Sequence, residues 1–393
     1  MMLLIKNGKV ITATDRKYEK GCVLIEGSKI RAVGAEIEAP VGADVIDAQG
    51  AWILPGLVDA HCHVGIVETG VGFAGLDVNE KTDPVTPHLR GIDGINALDP
   101  AFRDAVEGGV TSLASGPGST NTIGGQFCVI KTHGDSIDEM IVKAPLAMKC
   151  AFGENIKRTY GDKGKSPMTR MGNAAVLRET LLKTCEYEER IRYAGDDPLK
   201  RPPINFKLEA MLPVIRRQIP LKIHAHRADD ILTAIRIAKE FDCKLTLEHC
   251  TEGHLIARHI AAAGVAAITG PSFGFQGKME VVNKSFDTPM VLQEAGVLVA
   301  IMTDHPVTPI QRLNMMAGMA VKAGATFDDA IKMITINPAK ILELDDRIGS
   351  LEAGKDADVV VWSGNPLEMS SEPLLTIIDG QVVYEKGGEA CKK

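Results

Sequence analysis

Ten histidines stand in the 393-residue chain, and five of them fall in three short clusters. Val58-Asp59-Ala60-His61-Cys62-His63 sets two imidazoles at i and i+2, and Lys222-Ile223-His224-Ala225-His226-Arg227 repeats that spacing. Side chains two apart on a strand point to the same face, so each pair aims two nitrogen ligands one way. Leu247-Glu248-His249-Cys250-Thr251 adds a fifth histidine, and Met302-Thr303-Asp304-His305-Pro306 ends an apolar run on a carboxylate. Buried neutral imidazoles need polar partners, and a divalent cation serves several at once. Imidazoles with carboxylates suit Zn²⁺, with Mn²⁺ or Fe²⁺ as the other candidates. Such a cation lowers the pKa of a water toward about 7 and polarises a carbonyl. Asp304 beside that water is expected to take its proton and return it to a leaving nitrogen.

The elements that carry these groups read as strands with the chemistry at their C-terminal ends. Short apolar runs occupy 57–63, 110–115, 146–152, 221–226, 244–249, 265–269 and 297–303. Between the fourth and fifth of these, Ile231, Ala234, Ile235 and Ala238 follow the helical i, i+3, i+4, i+7 pattern, with Asp229 or Asp230 available as N-cap. His224 and His249 are 25 residues apart, one strand–helix period. Repeated strand–helix–strand units predict a parallel sheet with crossover helices. No GxGxxG or P-loop follows any of the strands, which argues against a nucleotide fold. In a barrel, all these strand ends converge on one mouth, where active sites lie.

Both ends of the chain have a different texture. Runs at 3–12, 21–26, 29–33 and 44–47, and again at 358–362 and 375–384, are β-rich and broken by turn pairs such as Asn7-Gly8 and Asp379-Gly380. They predict one small β domain made from both termini. Hydrophobic residues at 45% and charged residues at 24% are ordinary for a globular chain. A net charge of −7 with 4% aromatics argues against a nucleic-acid partner. The longest apolar stretch, 260–268, is too short for a membrane span. The first residues lack a signal-peptide core. Eight scattered cysteines without a C-x-x-C pair predict reduced thiols and a cytoplasmic location.

The order His61-Cys62-His63, His224, His249 and Asp304, following Leu54-Pro55-Gly56-Leu57-Val58-Asp59, closely resembles the metal-dependent amidohydrolase superfamily. The run Gly349-Ser350-Leu351-Glu352-Ala353-Gly354-Lys355-Asp356-Ala357-Asp358 is similar to that superfamily's return into its small domain. The nearest likeness is to the imidazolonepropionase-like and Xaa-Pro dipeptidase-like branch, where His-Ala-His and Glu-His-x-Thr recur. This resemblance implies an α/β fold, a (β/α)8 TIM-type barrel over 55–346 beside a composite β-sandwich of 1–54 and 347–393. It implies one or two divalent metals, held by His61 and His63 from the first strand, His224 from the fifth, His249 from the sixth and Asp304 from the eighth. Many members add a carboxylated lysine or a glutamate from the third or fourth strand, and segment 144–155 holds both types. Glu154, past Gly153 at the C-terminal end, is the expected ligand, with Lys149 inside the apolar run as the alternative. The plain readings are a solvated loop carboxylate and a lysine whose stem packs while its amine reaches solvent.

The substrate is less legible. In related deaminases and in imidazolonepropionase the residue three after the fifth-strand histidine is a proton-shuttling glutamate, and here it is Arg227. Arginine cannot do that work, but it pairs carboxylates. A dipeptide or N-acyl amino acid, a small carboxylate-bearing amide, is therefore favoured over ring deamination, although Asp229 and Asp230 are equally at hand for Arg227. His226 either contacts substrate or supports a ligand. Segment 153–170 is basic, and Lys157, Arg158 and Tyr160 either bind an anionic substrate or form a solvated loop. The Gly-rich 116–126 reads as a mouth loop or an anion cradle. The alternatives are a deaminase or imidazolone-type ring hydrolase, and a catalytically silent scaffold, which retention of every histidine and of Asp304 opposes. The family's habit of oligomerising allows a homo-oligomer, for which no motif stands.

Overall fold

The computed structural model describes residues 2–274 and 276–387, with Cys391 outside that range, and its sixteen strands form two sheets. Met2–Ile11 (β1), Lys17–Glu26 (β2), Lys29–Gly34 (β3), Asp44–Asp47 (β4) and Trp52–Pro55 (β5) open the chain. Leu57–Cys62 (β6), Val110–Ser115 (β7), Ile123–Lys131 (β8), Ile141–Ala151 (β9), Leu221–Ala225 (β10), Leu245–His249 (β11), Ala266–Thr269 (β12) and Val299–Ile301 (β13) follow. Val359–Trp362 (β14), Pro373–Ile378 (β15) and Gln381–Glu385 (β16) close it.

The terminal strands share one sheet in the order β16-β15-β14-β5-β1-β2-β3, with β4 also on β1. Strand β1 forks: residues 3–6 pair with β4, and Lys9 and Val10 pair with β5. Leu3, Ile5, Val23, Ile53, Val359 and Ile377, from both ends of the chain, bury into a common core. The β15–β16 hairpin turns at Asp379 and Gly380 with φ of 48° and 78°, the left-handed pair that a tight hairpin requires.

The second sheet runs in chain order from β6 to β13 and makes a nearly closed eight-stranded barrel. It departs from the all-parallel expectation at β8, which is antiparallel to both β7 and β9. Only residues 116–122 separate β7 from β8, too few for the crossover that parallel neighbours need. Four of the eleven residues in the segment expected to be a Gly-rich loop, 123–126, are thus strand. Between β6 and the segment after β13 the barrel closes through two backbone bonds, Asp304 N–H to the His61 carbonyl and His63 N–H to the His305 carbonyl, and through side chains. Asp59 Oδ2 accepts from both the N–H and the hydroxyl of Thr303, at 3.1 and 2.5 Å, and Asp59 Oδ1 accepts from His61 N–H.

The helix between β10 and β11 spans Ala228–Glu240, and its N-cap is Arg227, without a side-chain cap bond. Neither expected aspartate caps it, because Asp229 is taken by Arg227 and Asp230 by Arg170. The two sheets meet at a buried ion cluster. Lys131 at the end of β8 reaches Asp358 at 2.7 Å and Asp356 at 3.1 Å, and Arg347 and Lys29 also hold Asp356. At the junction Gly56 is obligatory, since a Cβ there would lie 2.0 Å from Thr111 Oγ1. No helix among the described residues is long and apolar enough to cross a membrane.

Candidate active site

Alternation along β6 puts Asp59, His61 and His63 on one face, while Val58, Ala60 and Cys62 pack into the hydrophobic core. Three of the inward imidazoles are fixed through Nδ1. His61 Nδ1 donates to Glu248 Oε2 at 2.8 Å, and His63 Nδ1 donates to the Gly116 carbonyl at 2.7 Å. His249 Nδ1 likewise donates to the Gly270 carbonyl at 2.9 Å. These bonds set the tautomer and leave Nε2 with its lone pair, the arrangement typical of metal-ligating histidines.

The free nitrogens converge. His63 Nε2 lies 3.3 Å and His61 Nε2 3.6 Å from Asp304 Oδ1. Ligand atoms of His61, His249 and Asp304 lie within 4.8 Å of one another, and so do those of His224, His226 and His249. His249 therefore joins two groups. It does so by breaking strand alternation: with φ at 68° it turns towards the mouth although Glu248, the residue before it, bonds His61. Asp304 has φ at 50°. Non-glycine residues in this region store strain, and they cluster at functional sites.

The structure sets Lys149, rather than Glu154, against this cluster. Lys149 is 1% exposed, and its Nζ stands 3.0 Å from His61 Nε2. It sits two residues before Ala151, the last residue of β9. Glu154 begins the helix Glu154–Gly161, and its N–H donates to Glu280. Arg227 makes a bidentate pair with Asp229 at 2.9 Å on both arms, so its guanidinium is engaged on the neighbouring helix. Lys157 and Arg158 lie on the helix Glu154–Gly161, where a solvated basic loop was the plain expectation. Arg158 lines a cleft with Lys81, Thr120, Asn155 and Lys163 that includes none of the histidines. His226 joins His224 and His249 with ring centroids 4.6 and 4.4 Å away, and its Nδ1 meets Thr251 Oγ1 at 2.7 Å.

Several supporting groups escaped the sequence reading. Glu248 accepts from His61, from Lys222 at 2.8 Å and from Thr246 at 2.7 Å. Lys222 and Asp59 each lie two residues before a clustered histidine, so strand alternation alone would have placed both beside the site. Glu280 carried no such signal.

Burial dominates the electrostatics. It drives the His61, His224 and His226 imidazoles well below the ordinary histidine range, and His249 down to about 4, so these rings are neutral with lone pairs to give. Burial pulls the Lys149 amine down to about 8, against the pull of Glu248 and Asp304. Burial opposes the Asp304 carboxylate, but His249, His63 and Lys149 outweigh it and hold Asp304 below the usual carboxylate value. Both ring nitrogens of His224 are buried without a hydrogen-bond partner. Neutral imidazoles, a charged carboxylate and an orphaned histidine make a donor set that fits a divalent cation.

The family model described as the amidohydrolase family matches residues 52–383. The chain belongs to the amidohydrolase family. It is 28% identical over 397 residues to the amidohydrolase tasK of Hapsidospora irregularis, covering 93% of this chain but only 40% of that relative's length. It is 24% identical to the 5'-deoxyadenosine deaminase of Methanobrevibacter smithii, across 98% of this chain and 89% of that protein. The crystal structure of an amidohydrolase from Thermotoga maritima MSB8 superposes with a TM-score of 0.95 at 45% identity, covering 98% of this chain and all of that one. Membership makes the chain a hydrolase fold for C–N bonds of small molecules.

Proposed function

We propose that this amidohydrolase hydrolyses the amide or cyclic amide C–N bond of a small carboxylate-bearing substrate, such as a dipeptide or an N-acyl amino acid. The observation that carries the reading is the convergence of Nδ1-anchored histidines on Asp304 Oδ1, with Lys149 against His61. His61, His63, His224, His249, Asp304 and Lys149, the last as its carboxylated form, would hold one or two Zn²⁺ ions, with Mn²⁺ or Fe²⁺ as substitutes. When bound, the cation supplies Lewis acidity to water and carbonyl. Asp304, kept ionised by its cationic and imidazole neighbours, is placed to accept a proton during attack and deliver it to the leaving nitrogen. Glu248 and Gly116 hold the rings still through Nδ1. Arg227, bound to Asp229, leaves recognition of the substrate carboxylate to other groups. Seven free thiols among the described residues support a reducing, cytoplasmic setting.

Two measurements test this. Metal content of the purified protein is expected to be stoichiometric, to fall in Lys149→Ala and to persist in Glu154→Ala; loss only in Glu154→Ala reverses the ligand choice. A metal-free preparation would instead support a silent scaffold. A screen of dipeptides, N-acyl amino acids, lactams and amino-heterocycles is expected to show hydrolysis in the first two groups. Ammonia release confined to amino-heterocycles would favour the deaminase alternative, which the name of the Methanobrevibacter relative supports.

A further inference from the structure

Next to His226 stands a carboxylate that the proposed chemistry leaves unused. Glu280 belongs to the short turn Met279–Val281 after β12 and is 1% exposed. Its Oε2 accepts the Glu154 N–H at 2.9 Å. It thereby caps the helix Glu154–Gly161, whose own N-cap residue, Gly153, has no side chain. That cap uses one oxygen. The other, Oε1, is buried without a hydrogen-bond partner, 3.8 Å from His226 Nε2 and 3.9 Å from Lys278 Nζ. Lys278 is already engaged, donating to Asn155 Oδ1 at 2.7 Å.

The chain makes room for this carboxylate. Gly153 has φ at +109°, and a Cβ on it would lie 2.6 Å from Glu280 Oε2. A cap alone could be supplied by a serine or aspartate at the N-cap position. The chain instead brings a charged group from a distant loop and leaves one of its oxygens unpartnered beside His226. The two histidine groups share His249, with Asp304 in one and His226 in the other, so Glu280 stands at the end of the site that lacks Asp304. Burial, together with the charges of Glu154 and Asp230 nearby, raises its carboxyl above the usual range, against the Glu154 N–H bond and the charge of Lys278. A cationic donor arriving there would relieve this.

We infer that Glu280 is a substrate-positioning residue whose Oε1 accepts a hydrogen bond from a free amino group of the substrate at the His226 end of the site. The inference rests on the C–N hydrolase reading above and narrows it. Among carboxylate-bearing amides, the preferred substrates are dipeptides with an unblocked amino terminus rather than N-acylated amino acids, which carry no ammonium to present.

The test uses the metal-loaded full chain, one dipeptide and its N-acetylated counterpart, and the variant Glu280→Gln. Glutamine keeps an oxygen for the Glu154 N–H, and an unchanged Tm reports that the cap survives. Wild type is expected to prefer the free amine in kcat/KM by roughly tenfold to a hundredfold, the worth of one hydrogen bond to a charged group. In Glu280→Gln the preference is expected to collapse towards unity, mainly through a rise in KM for the free-amine substrate. Equal losses on both substrates, or a loss confined to kcat, would mean a purely structural carboxylate and overturn the inference. Wild-type turnover of both substrates without preference would overturn it as well, leaving the hydrolase reading intact. Turnover of neither would overturn both.

Discussion

Replacing Lys149 by methionine separates the cost of a buried amine from its use. In the metal-free protein the ammonium is 1% exposed, and burial lowers it from its ordinary 10.5 to about 8. At about 1.4 kcal/mol per pKa unit, charge burial therefore costs the folded protein about 3 kcal/mol at pH 7. Methionine fills a similar volume without charge. It leaves His61 Nε2 without the donor now 3.0 Å away, which takes back about 1 kcal/mol. The net expectation is that metal-free Lys149→Met is more stable than wild type by about 2 kcal/mol at pH 7, while binding less metal and losing turnover. The sign of the pH dependence follows from linkage. Between the folded value of about 8 and the unfolded 10.5, the unfolded chain holds the extra proton, so wild-type stability rises with pH across that window. The advantage of the variant should shrink across that window and give way to a deficit of about 1 kcal/mol above it. Urea unfolding of chelator-treated protein in carbonate-free buffer at pH 7, 9 and 10.5 measures this. A variant no more stable at pH 7, or an advantage that does not shrink with pH, would refute the reasoning.

Asp304→Asn is expected to keep the fold, by circular dichroism, and to lose about 10²–10⁴ in kcat, the usual worth of a general base; near-normal turnover would remove Asp304 from the chemistry. Lys131→Met strips Asp358 of its buried partner while Asp356 keeps Lys29 and Arg347, so about 3 kcal/mol of urea stability should go; a change below about 1 kcal/mol would show that the cluster is not needed. Arg227→Ala breaks a half-exposed pair with Asp229, which predicts under about 1 kcal/mol of stability and a kcat/KM within a few-fold of wild type; a hundredfold drop would return Arg227 to the substrate.

The barrel and its mouth were legible because period-two spacing on a strand is local information. His61 with His63 and His224 with His226 declare a shared face from the sequence alone, and the apolar runs ahead of them declare strands. Strand β8 was not legible, since Gly124 and Gly125 in its first half imitate a loop and only the short link to β7 reveals its direction. Distance from the end of the run favours Glu154 over Lys149 in the sequence, whereas the ladder fixes which residue looks inward: Lys149 sits opposite Lys222 on β10, itself an inward group. Glu280 had no local pattern at all. Its burial depends on a glycine 127 positions earlier, a relation that only tertiary structure discloses.

The shared terminal sheet bears on how the polypeptide emerges from the ribosome. Strand β5 has β1 on one side but finds its second lateral neighbour in β14, some three hundred residues later, and the ammonium of Lys131 finds two of its carboxylates in the same late stretch. Until those last strands are translated, a nascent barrel must carry an open strand edge and an unmatched positive charge where a hydrophobic seam will later form. A stop before Val359 therefore leaves β5 paired with β1 alone, its other edge uncovered.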